Sequence, residues 1–222
     1  MHLLLGTFSI VARDPDTGDL GIAIATAAPA VGSVAPHAIP GVAAVSTQAF
    51  VNVEIGRKAV RIAEFGVRIG DAIESLLKVD PYREYRQVIG VDRETAYGYT
   101  GSKCIPWAGH IVENDLAVAG NIIAGPQVLE AMVKAYRESR NDPFPVRLLN
   151  AIKAGEEAGG DTRGKQSAAL LIASKNPRWE YNLRVDDHPD PINELIRIYK
   201  KTVETMENFK KKYGDAMSII KL

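Results

Sequence analysis

The stretch that decides the fold is TFSIVARDPDTGDLGIAIATAA, residues 7–28. Its two runs of apolar and small residues predict strands over residues 4–12 and 20–28. Residues 14–18 between them, Asp-Pro-Asp-Thr-Gly, are typical of a turn, so we expect the two strands to form a hairpin. Both faces of these strands carry apolar or small side chains, as in a sheet that is covered on both sides.

The rest of the chain alternates runs of predicted strands with predicted helices. Further strands are expected at residues 41–47, 85–91, 95–99, 116–119, 167–173 and 181–185. Helices are expected between residues 55 and 77 (a pair broken near Gly66 and Gly70), at residues 125–140 and 145–158, and from Pro191 onward. Residues 29–40 are predicted to be a long loop because proline and glycine interrupt them, and loops of this length are often functional.

The order of these elements predicts the fold class. Runs of strands separated by helix pairs do not fit alternating βαβ units, and short turns between successive strands indicate antiparallel pairing. The helix pairs must then cover the outer faces of the sheets. The sequence therefore predicts an α+β protein, a four-layer α-β-β-α sandwich of two mostly antiparallel sheets.

Composition and charge narrow the classes of function. The chain has 222 residues, with 27 basic and 27 acidic side chains and a formal net charge of zero. A dedicated nucleic-acid binder would be basic, so no nucleic-acid partner is expected. The single cysteine excludes an internal disulfide and a cysteine-clustered metal site. No apolar stretch reaches the ~18 residues of a membrane span, and the first six residues lack a secretory signal, which predicts a cytoplasmic protein without membrane contact.

The length predicts one core domain with an appendage. We interpret residues 1–6 as a leader and candidate propeptide, residues 7–190 as the core domain, and residues 191–222 as a C-terminal amphipathic helical arm. The arm is rich in lysine on its outer face and apolar at helical spacing on the other. It either docks on its own core or joins two copies of the chain, and we expect a homodimer.

Several familiar sites are absent from the sequence. There is no P-loop, no Gly-rich dinucleotide fingerprint after a strand and no His-Glu-x-x-His motif, so we expect no cofactor and no metal. Cys104 and His110 could form a nucleophile and base, although a lone Cys is more often a small buried hydrophobe. Asp187 and His188 could hold a metal ion with His110, although Asp-His-Pro after a strand equally forms a turn and a helix cap.

Two loops combine polar side chains with geometry suited to a site. The glycine-rich loop 159–166 offers Asp161, Arg163 and Gln166. It is either a structural loop locked by an Asp–Arg pair or a clamp for a substrate carboxylate or amide. Asn121 lies between a predicted strand and a predicted helix, where it could cap a turn or donate to a developing oxyanion.

Thr7 is the residue with the sharpest chemical consequence. Inside a chain, threonine is a poor nucleophile and is normally an ordinary strand residue. Removal of residues 1–6 would place its own α-amine beside its hydroxyl. That amine has a pKa of about 8, so a useful fraction is an unprotonated base at neutral pH.

Several of these motifs resemble those of a known family. The similarity includes TFSIVARD at residues 7–14, VGSVAPH at 31–37 and CIPWAGH at 104–110, and it covers nearly all of residues 7–195. The family is bacterial and archaeal, is catalogued as domain of unknown function 1028, and resembles the N-terminal-nucleophile (Ntn) hydrolases in fold. The resemblance implies the α-β-β-α sandwich already predicted from element order. The Gly6-Thr7 junction resembles the junction at which proteasome subunits cut themselves.

We therefore expect an Ntn-type hydrolase of amide bonds in a small amide or peptide-like metabolite. Thr7 would attack the carbonyl carbon, and Asn121 or a backbone amide near Gln48 would stabilise the oxyanion. The expected substrate-binding residues are His37, Gln48, Asp161, Arg163 and Gln166. The alternative is a non-catalytic protein of the same fold that binds a small ligand or a partner. A third interpretation is metal-dependent hydrolysis through His110, Asp187 and His188.

Overall fold

The computed structural model describes residues 4–174 and 181–214 of the chain. Its strands are β1 (Leu4–Leu5), β2 (Thr7–Arg13), β3 (Leu20–Thr26), β4 (Pro36–Ile39), β5 (Ala43–Phe50), β6 (Arg86–Asp92), β7 (Ala96–Thr100), β8 (Ala108–Val112), β9 (Leu116–Asn121), β10 (Ser167–Ala173) and β11 (Asn182–Val185). Its α-helices are α1 (Val53–Ala63), α2 (Ile69–Val79), α3 (Pro126–Glu138), α4 (Phe144–Glu157) and α5 (Pro191–Tyr213).

The strands form two antiparallel sheets. The five-stranded sheet has the order β1-β5-β6-β7, with β4 also paired to β5, and the six-stranded sheet has the order β11-β10-β3-β2-β9-β8. Helices α1 and α2 pack on the five-stranded sheet, and α3, α4 and α5 pack on the six-stranded sheet. The sheets face one another through a further buried cluster. The predicted α+β sandwich of four layers is confirmed.

The hairpin of β2 and β3 lies at the centre of the six-stranded sheet. Thr7 pairs with Thr26 at its open end, and Arg13 pairs with Leu20 beside the turn. Asp14 holds that turn, because its carbonyl accepts from the Gly18 backbone at 2.8 Å and its carboxylate accepts from the Thr17 hydroxyl at 2.8 Å. The predicted hairpin is confirmed.

Both faces of β2 are buried, as the composition of residues 7–28 predicts. Phe8 and Ile10 belong to the core beneath α3 and α4, whereas Val11 belongs to the cluster between the two sheets. Because side chains alternate along a strand, Thr7 and Ser9 share the face of Val11 and point between the sheets. The hairpin thus places two hydroxyl groups inside the sandwich.

Two short strands depart from the predicted element list. The loop predicted over residues 29–40 contains a 3-10 turn at Val31–Ser33 and strand β4 at its end, and β8 lies where no strand is predicted. These two strands are not predicted because proline and glycine lie within or beside both segments, a composition typical of loops. Both strands lie at sheet edges, where proline is tolerated because one side of the strand needs no ladder hydrogen bond.

Helix α5 begins on the core and extends beyond it. Ile192, Leu195 and Tyr199 are buried, whereas Phe209 and Tyr213 are 43% and 48% exposed. The end of the predicted arm, residues 215–222, and residues 1–3 of the predicted leader lie outside the described residues. Among the described residues, no helix combines the length and the apolar character needed to cross a membrane.

Candidate functional site

The space between the two sheets is apolar at one end and polar at the other. The apolar end is formed by Val11, Leu20, Ile22, Ala44, Ile89, Val91, Ala117 and Ala119. The polar end is formed by residues that are each at most 2% exposed, namely Thr7, Ser9, Thr26, Ser46, Gln48, Gln87 and Asn121. Burying so many polar groups costs stability unless they are hydrogen-bonded, so their concentration at one end marks a candidate site.

Gln87 is the centre of a hydrogen-bond network at this polar end. Its Nε2 donates to the carbonyls of Gly109 at 3.0 Å and Gly120 at 2.9 Å, which can only accept, so the orientation of its amide is fixed. Its Oε1 therefore faces the other way and accepts from Gln48 Nε2 at 2.7 Å and Asn121 Nδ2 at 2.9 Å. The backbone of two strands thus sets how Asn121 and Gln48 are oriented.

The network extends in two directions. Towards the hairpin, Ser9 Oγ donates to Gln48 Oε1 at 2.6 Å. Towards the sheet edge, Gln87 Nε2 also lies 2.9 Å from Thr100 Oγ1, which contacts His110 Nδ1 at 2.8 Å. Desolvation by the surrounding protein lowers the pKa of His110 from its usual value, so its neutral form is favoured at pH 7.

Thr7 lies beside Asn121 at the start of β2. The two residues are register partners across β2 and β9, and Thr26 is the partner of Thr7 on the other side. The carbonyl oxygen of Gly6, directly before Thr7, accepts hydrogen bonds from Thr26 Oγ1 and from Arg163 Nη2, the latter at 2.9 Å. The Gly6–Thr7 peptide bond is therefore held by a hydroxyl and a guanidinium.

Asp161 holds Arg163 in this position. Its carboxylate accepts from Arg163 Nε at 3.0 Å, from Nη2 at 2.7 Å and from the Arg163 backbone at 3.0 Å. It also accepts from the backbone N–H of Ala27 at 3.0 Å, and its side chain is 1% exposed. The structure thus brings the glycine-rich loop to the Gly6–Thr7 bond, where Asp161 and Arg163 form the pair that the sequence suggests.

A strained turn joins Asn121 to the glycine-rich loop. Ile122 has a φ of 54°, in the left-handed region that β-branched residues rarely adopt. Its carbonyl accepts from the Thr162 backbone at 3.0 Å, and Ile123 forms a β-bridge with Asp161. Strain of this kind persists where surrounding contacts hold it and is common at functional sites.

Residues 4–6 lead into the site along the edge of β5. Strand β1 pairs with the end of β5, with Leu4 opposite Phe50 and Leu5 opposite Ala49. Ala49 itself has a φ of 65°, so the backbone turns directly after Gln48. With this strand in place Thr7 is fully buried, and three surface cavities of about 240, 270 and 400 Å³ are lined by other residues.

Two expected site residues lie apart from this cluster. His37 is the register partner of Val45, which packs in the α1–α2 core, and the His37 ring would be contacted by any Cβ at Gly56 of α1. It therefore faces the helix layer, because alternate positions of a strand face opposite sides. Gln166 directs its side chain to Asp187 at 3.2 Å and contributes its backbone to the site by donating to the Thr26 carbonyl at 2.9 Å.

The cysteine and metal alternatives gain no support. Cys104 Sγ donates to the Arg86 carbonyl at 3.3 Å, and burial raises its pKa to about 11. His110 is on β8 at one edge of the six-stranded sheet, whereas His188 follows β11 at the opposite edge and accepts from the Asp190 backbone. Within residues 4–174 and 181–214, no three His, Cys, Asp or Glu side chains could hold one metal ion.

Sequence reasoning does not single out Ser9, Ser46 or Gln87. Ser9 lies between two apolar residues, whereas Ser46 precedes Thr47 and Gln87 follows Arg86. In each case the sequence is that of an ordinary polar residue on the exposed face or at the end of a strand. One feature of the sequence could have pointed to these residues. Hydroxyl or amide side chains recur at one end of strands that are otherwise apolar on both faces. Only the pairing of the sheets brings these ends together.

These features define an α+β sandwich protein with a closed, hydrogen-bonded site at the start of its first core strand. The chain belongs to the DUF1028 family, a family of unknown function whose sequence model matches residues 7–195. The family membership expected from the motifs is thus confirmed.

Two solved structures illustrate what the chain is similar to. The crystal structure of protein SPO2555 from Silicibacter pomeroyi, also of the DUF1028 family, shares 32% identity with a TM-score of 0.82, covering 89% of this chain and 88% of that one. Anbu (ancestral beta-subunit) from Yersinia bercovieri shares 10% identity with a TM-score of 0.40, covering 90% of this chain and 96% of that one. None of the curated proteins matches the chain.

Proposed function

We propose that this protein is an Ntn-type hydrolase that cleaves an amide bond in a small amide or peptide-like molecule, with Thr7 as its nucleophile. The observation that carries the proposal is the arrangement around the Gly6–Thr7 bond. Thr26 and Arg163 both donate to the Gly6 carbonyl oxygen, and the threonine that follows lies in the buried polar network. Donors aimed at a carbonyl oxygen stabilise the charge that develops there when a nucleophile adds to the carbon.

The first step in this proposal is removal of residues 1–6. Thr7 Oγ adds to the Gly6 carbonyl carbon, and the negative charge develops on the oxygen held by Thr26 and Arg163. The C–N bond then breaks, the Thr7 nitrogen takes up the hydroxyl proton, and an ester joins Gly6 to Thr7 Oγ. Water hydrolyses this ester and leaves a free carboxylate on the leader and a free α-amine on Thr7.

The second step uses that amine as the base. The substrate carbonyl would occupy the place of the Gly6 carbonyl, and Thr7 Oγ would attack it while the α-amine takes the hydroxyl proton. The proton then passes to the leaving amine, and water hydrolyses the acyl ester. An amine with a pKa of about 8 can accept a proton near neutral pH.

Asn121 and Gln48 have supporting roles in this proposal. Asn121 Nδ2 donates one hydrogen to Gln87, and its amide nitrogen carries a second hydrogen. In this proposal the second hydrogen is donated to the oxyanion, because Asn121 is the register partner of Thr7. Gln48 fixes Ser9 two residues from Thr7 on the same strand face. Asp161 acts through Arg163, because it fixes the guanidinium that binds the carbonyl.

The expected partner is a small molecule, and we expect binding to neither nucleic acid nor a membrane. We also expect the protein to be a cytoplasmic homodimer. A net charge of zero supports the absence of a nucleic-acid partner, because polyanion binding requires a basic excess. The paired charges of Asp161 and Arg163 beside Thr7 suit a polar, compact substrate.

The second candidate function is non-catalytic binding of a small ligand or a partner on the same fold. The observation that favours it is the complete burial of Thr7 in the chain that carries residues 4–6, whose strand pairs with β5. If the leader stays attached, Thr7 has no free amine and cannot act as an N-terminal nucleophile.

Intact-mass measurement of the full chain, paired with a screen of amide substrates, tests both candidates. We expect the wild-type chain to lose residues 1–6, the Thr7→Ala variant to retain them, and only the processed chain to hydrolyse an amide. Thr7→Ser is the matched control, since it keeps a hydroxyl and should be processed. An uncut wild-type chain whose activity survives Thr7→Ala contradicts the mechanism, and an uncut, inactive chain favours the binding function.

A further inference from the structure

Gly6 occupies a place with no room for a side chain. A Cβ at this position would lie 2.8 Å from Arg163 Cζ and 2.9 Å from Arg163 Nε, closer than the 3.0 Å that real Cβ atoms essentially never breach. The backbone of Gly6 is not in the left-handed region. An alanine could therefore adopt the backbone conformation, and what excludes it is the guanidinium of Arg163.

The Arg163 guanidinium is the end of a flexible side chain that is 34% exposed, so its resistance to displacement depends on the contacts that hold it. Its Nε and Nη2 bind the two oxygens of Asp161, a bidentate arrangement that is stronger than a single neutral hydrogen bond. Asp161 is itself fixed by the Ala27 backbone and has a side chain that is only 1% exposed. Displacing the guanidinium would leave that buried carboxylate with poorer partners, which is expensive.

The residues before Gly6 lie in an extended conformation on the edge of β5. Leu5 pairs with Ala49 and Leu4 pairs with Phe50. The leader therefore occupies the site as a peptide would, with strand pairing to one sheet and its carbonyl on Thr26 and Arg163. Strand addition of this kind is a general way to bind an extended peptide.

We infer that the site beside Thr7 takes an extended peptide with glycine on the acyl side of the bond to be cleaved, and that Arg163 is the residue that rejects any larger side chain. This inference rests on the proposed function for its catalytic part and narrows its substrate class to glycyl amides. The fit of glycine to the site is a separate property that can be measured without catalysis.

Hydrogen exchange of the full chain tests the fit. All variants carry Thr7→Ala so that the leader stays attached, and the readout is the exchange rate of those amides of residues 4, 5, 49 and 50 that the β1–β5 pairing protects. We expect Gly6→Ala to speed exchange about tenfold or more, as loss of the strand pairing exposes these groups. Adding Arg163→Ala to Gly6→Ala removes the obstruction and should slow exchange again.

The rescue is the decisive result. A leader that is merely loosened by loss of the Arg163 hydrogen bond would exchange faster in the double variant than in Gly6→Ala alone. No effect of Gly6→Ala, or no rescue by Arg163→Ala, overturns the inference.

Peptide hydrolysis tests the substrate class. The processed wild-type chain is given two fluorogenic amides, acetyl-leucyl-leucyl-glycyl-aminomethylcoumarin and its alanyl counterpart. We expect kcat/KM to favour the glycyl peptide about tenfold or more, within the range that one methyl group can produce. Arg163→Ala is made from a chain that begins Met-Thr7, so that removal of the initiator Met frees the Thr7 amine without self-cleavage. In this variant the ratio should fall towards one even though overall activity drops.

The outcomes separate the two claims. Equal hydrolysis of both peptides by the wild-type chain overturns the glycine inference and leaves the proposed hydrolase standing. Rescue in the exchange experiment without hydrolysis of either peptide supports the glycine-specific site and contradicts the proposed function.

Discussion

Cys104 illustrates how surroundings decide the chemistry of a single residue. Its thiol is buried and donates to the Arg86 carbonyl, and burial raises its pKa to about 11. The thiolate is the nucleophilic form, so Cys104 is a weak nucleophile at physiological pH. The surroundings of Thr7 would have the opposite effect on its reactivity. In the proposed mechanism its hydroxyl becomes a nucleophile through its own α-amine, which cleavage of the chain supplies.

We predict that Cys104 reacts slowly with iodoacetamide in the folded chain. At pH 8 its thiolate fraction should be about 200-fold below that of an ordinary cysteine with a pKa of about 8.5. Labelling followed by mass spectrometry should show this difference between the folded chain and the same chain in guanidinium chloride. Equal rates in the two states would contradict both the burial and the raised pKa.

Asp92 links the α1–α2 layer to its sheet by a hydrogen bond from α2. It ends β6, and its carboxylate accepts from the backbone of Ile69 at 2.7 Å, Glu94 at 2.8 Å and Thr95 at 2.6 Å, and from the Thr95 hydroxyl. Burial alone would raise the pKa of this carboxyl, but the four hydrogen bonds outweigh burial and lower it below the usual value. The first backbone N–H of α2 is satisfied by the same group.

This lowered pKa predicts a pH dependence of stability. Because the folded chain favours the ionised carboxylate, its stabilising contribution is present above the unfolded pKa of about 4 and is lost as pH falls below it. Asp92→Asn should lower the free energy of unfolding by about 1–3 kcal/mol at pH 7, and the deficit should shrink at pH 3. Urea denaturation at the two pH values measures it, with the exposed Asp16→Asn as control. A deficit that is the same at both pH values would contradict the role of the charge.

The outer half of α5 carries an exposed apolar face that suits assembly of two copies of the chain. Met206 and Phe209 line a groove of about 240 Å³ together with Ile198, which still packs against the core. Phe209 is 43% exposed and continues the apolar face of the helix. We predict that a second copy covers this face, since an isolated apolar helix face gains stability by burial.

Sedimentation of the full chain measures this assembly. The wild-type chain and the Lys211→Ala control should both sediment as dimers, whereas Phe209→Lys should shift the equilibrium to monomers. A wild-type chain that is monomeric at every concentration would rule out this use of α5.

For the whole molecule, element order is easier to predict from sequence than the site. The hairpin, the two helix pairs and the long C-terminal helix follow from periodicity and turn residues, and together they lead to the sandwich. Thr7, Asn121, Asp161 and Arg163 can be nominated because loops or termini mark them. Gln87 cannot, since its importance depends on the pairing of β6 with β5 and on the packing of that sheet against β9, which are long-range contacts.

The division of the interlayer space into an apolar and a polar end leads to a last prediction. Ile22 lies at the apolar end and Gln87 at the polar end, and both are fully buried. Ile22→Ala should cost about 2–5 kcal/mol by opening a cavity. Gln87→Leu should cost at least as much, because two backbone carbonyls and the amide groups of Gln48 and Asn121 lose a partner, at about 1–3 kcal/mol for each group left unsatisfied.

The two variants should differ in the release of residues 1–6. Ile22→Ala leaves the network intact, so the release rate should match the wild-type chain at temperatures where both are folded. Gln87→Leu frees Asn121 from its fixed orientation beside Thr7, so release should slow by about tenfold or more, as expected when a group that binds the oxyanion is misplaced. Denaturation curves and a time course of intact mass supply the two readouts. If both variants released the leader at the wild-type rate under conditions where denaturation curves show them folded, the polar end would have no role of its own.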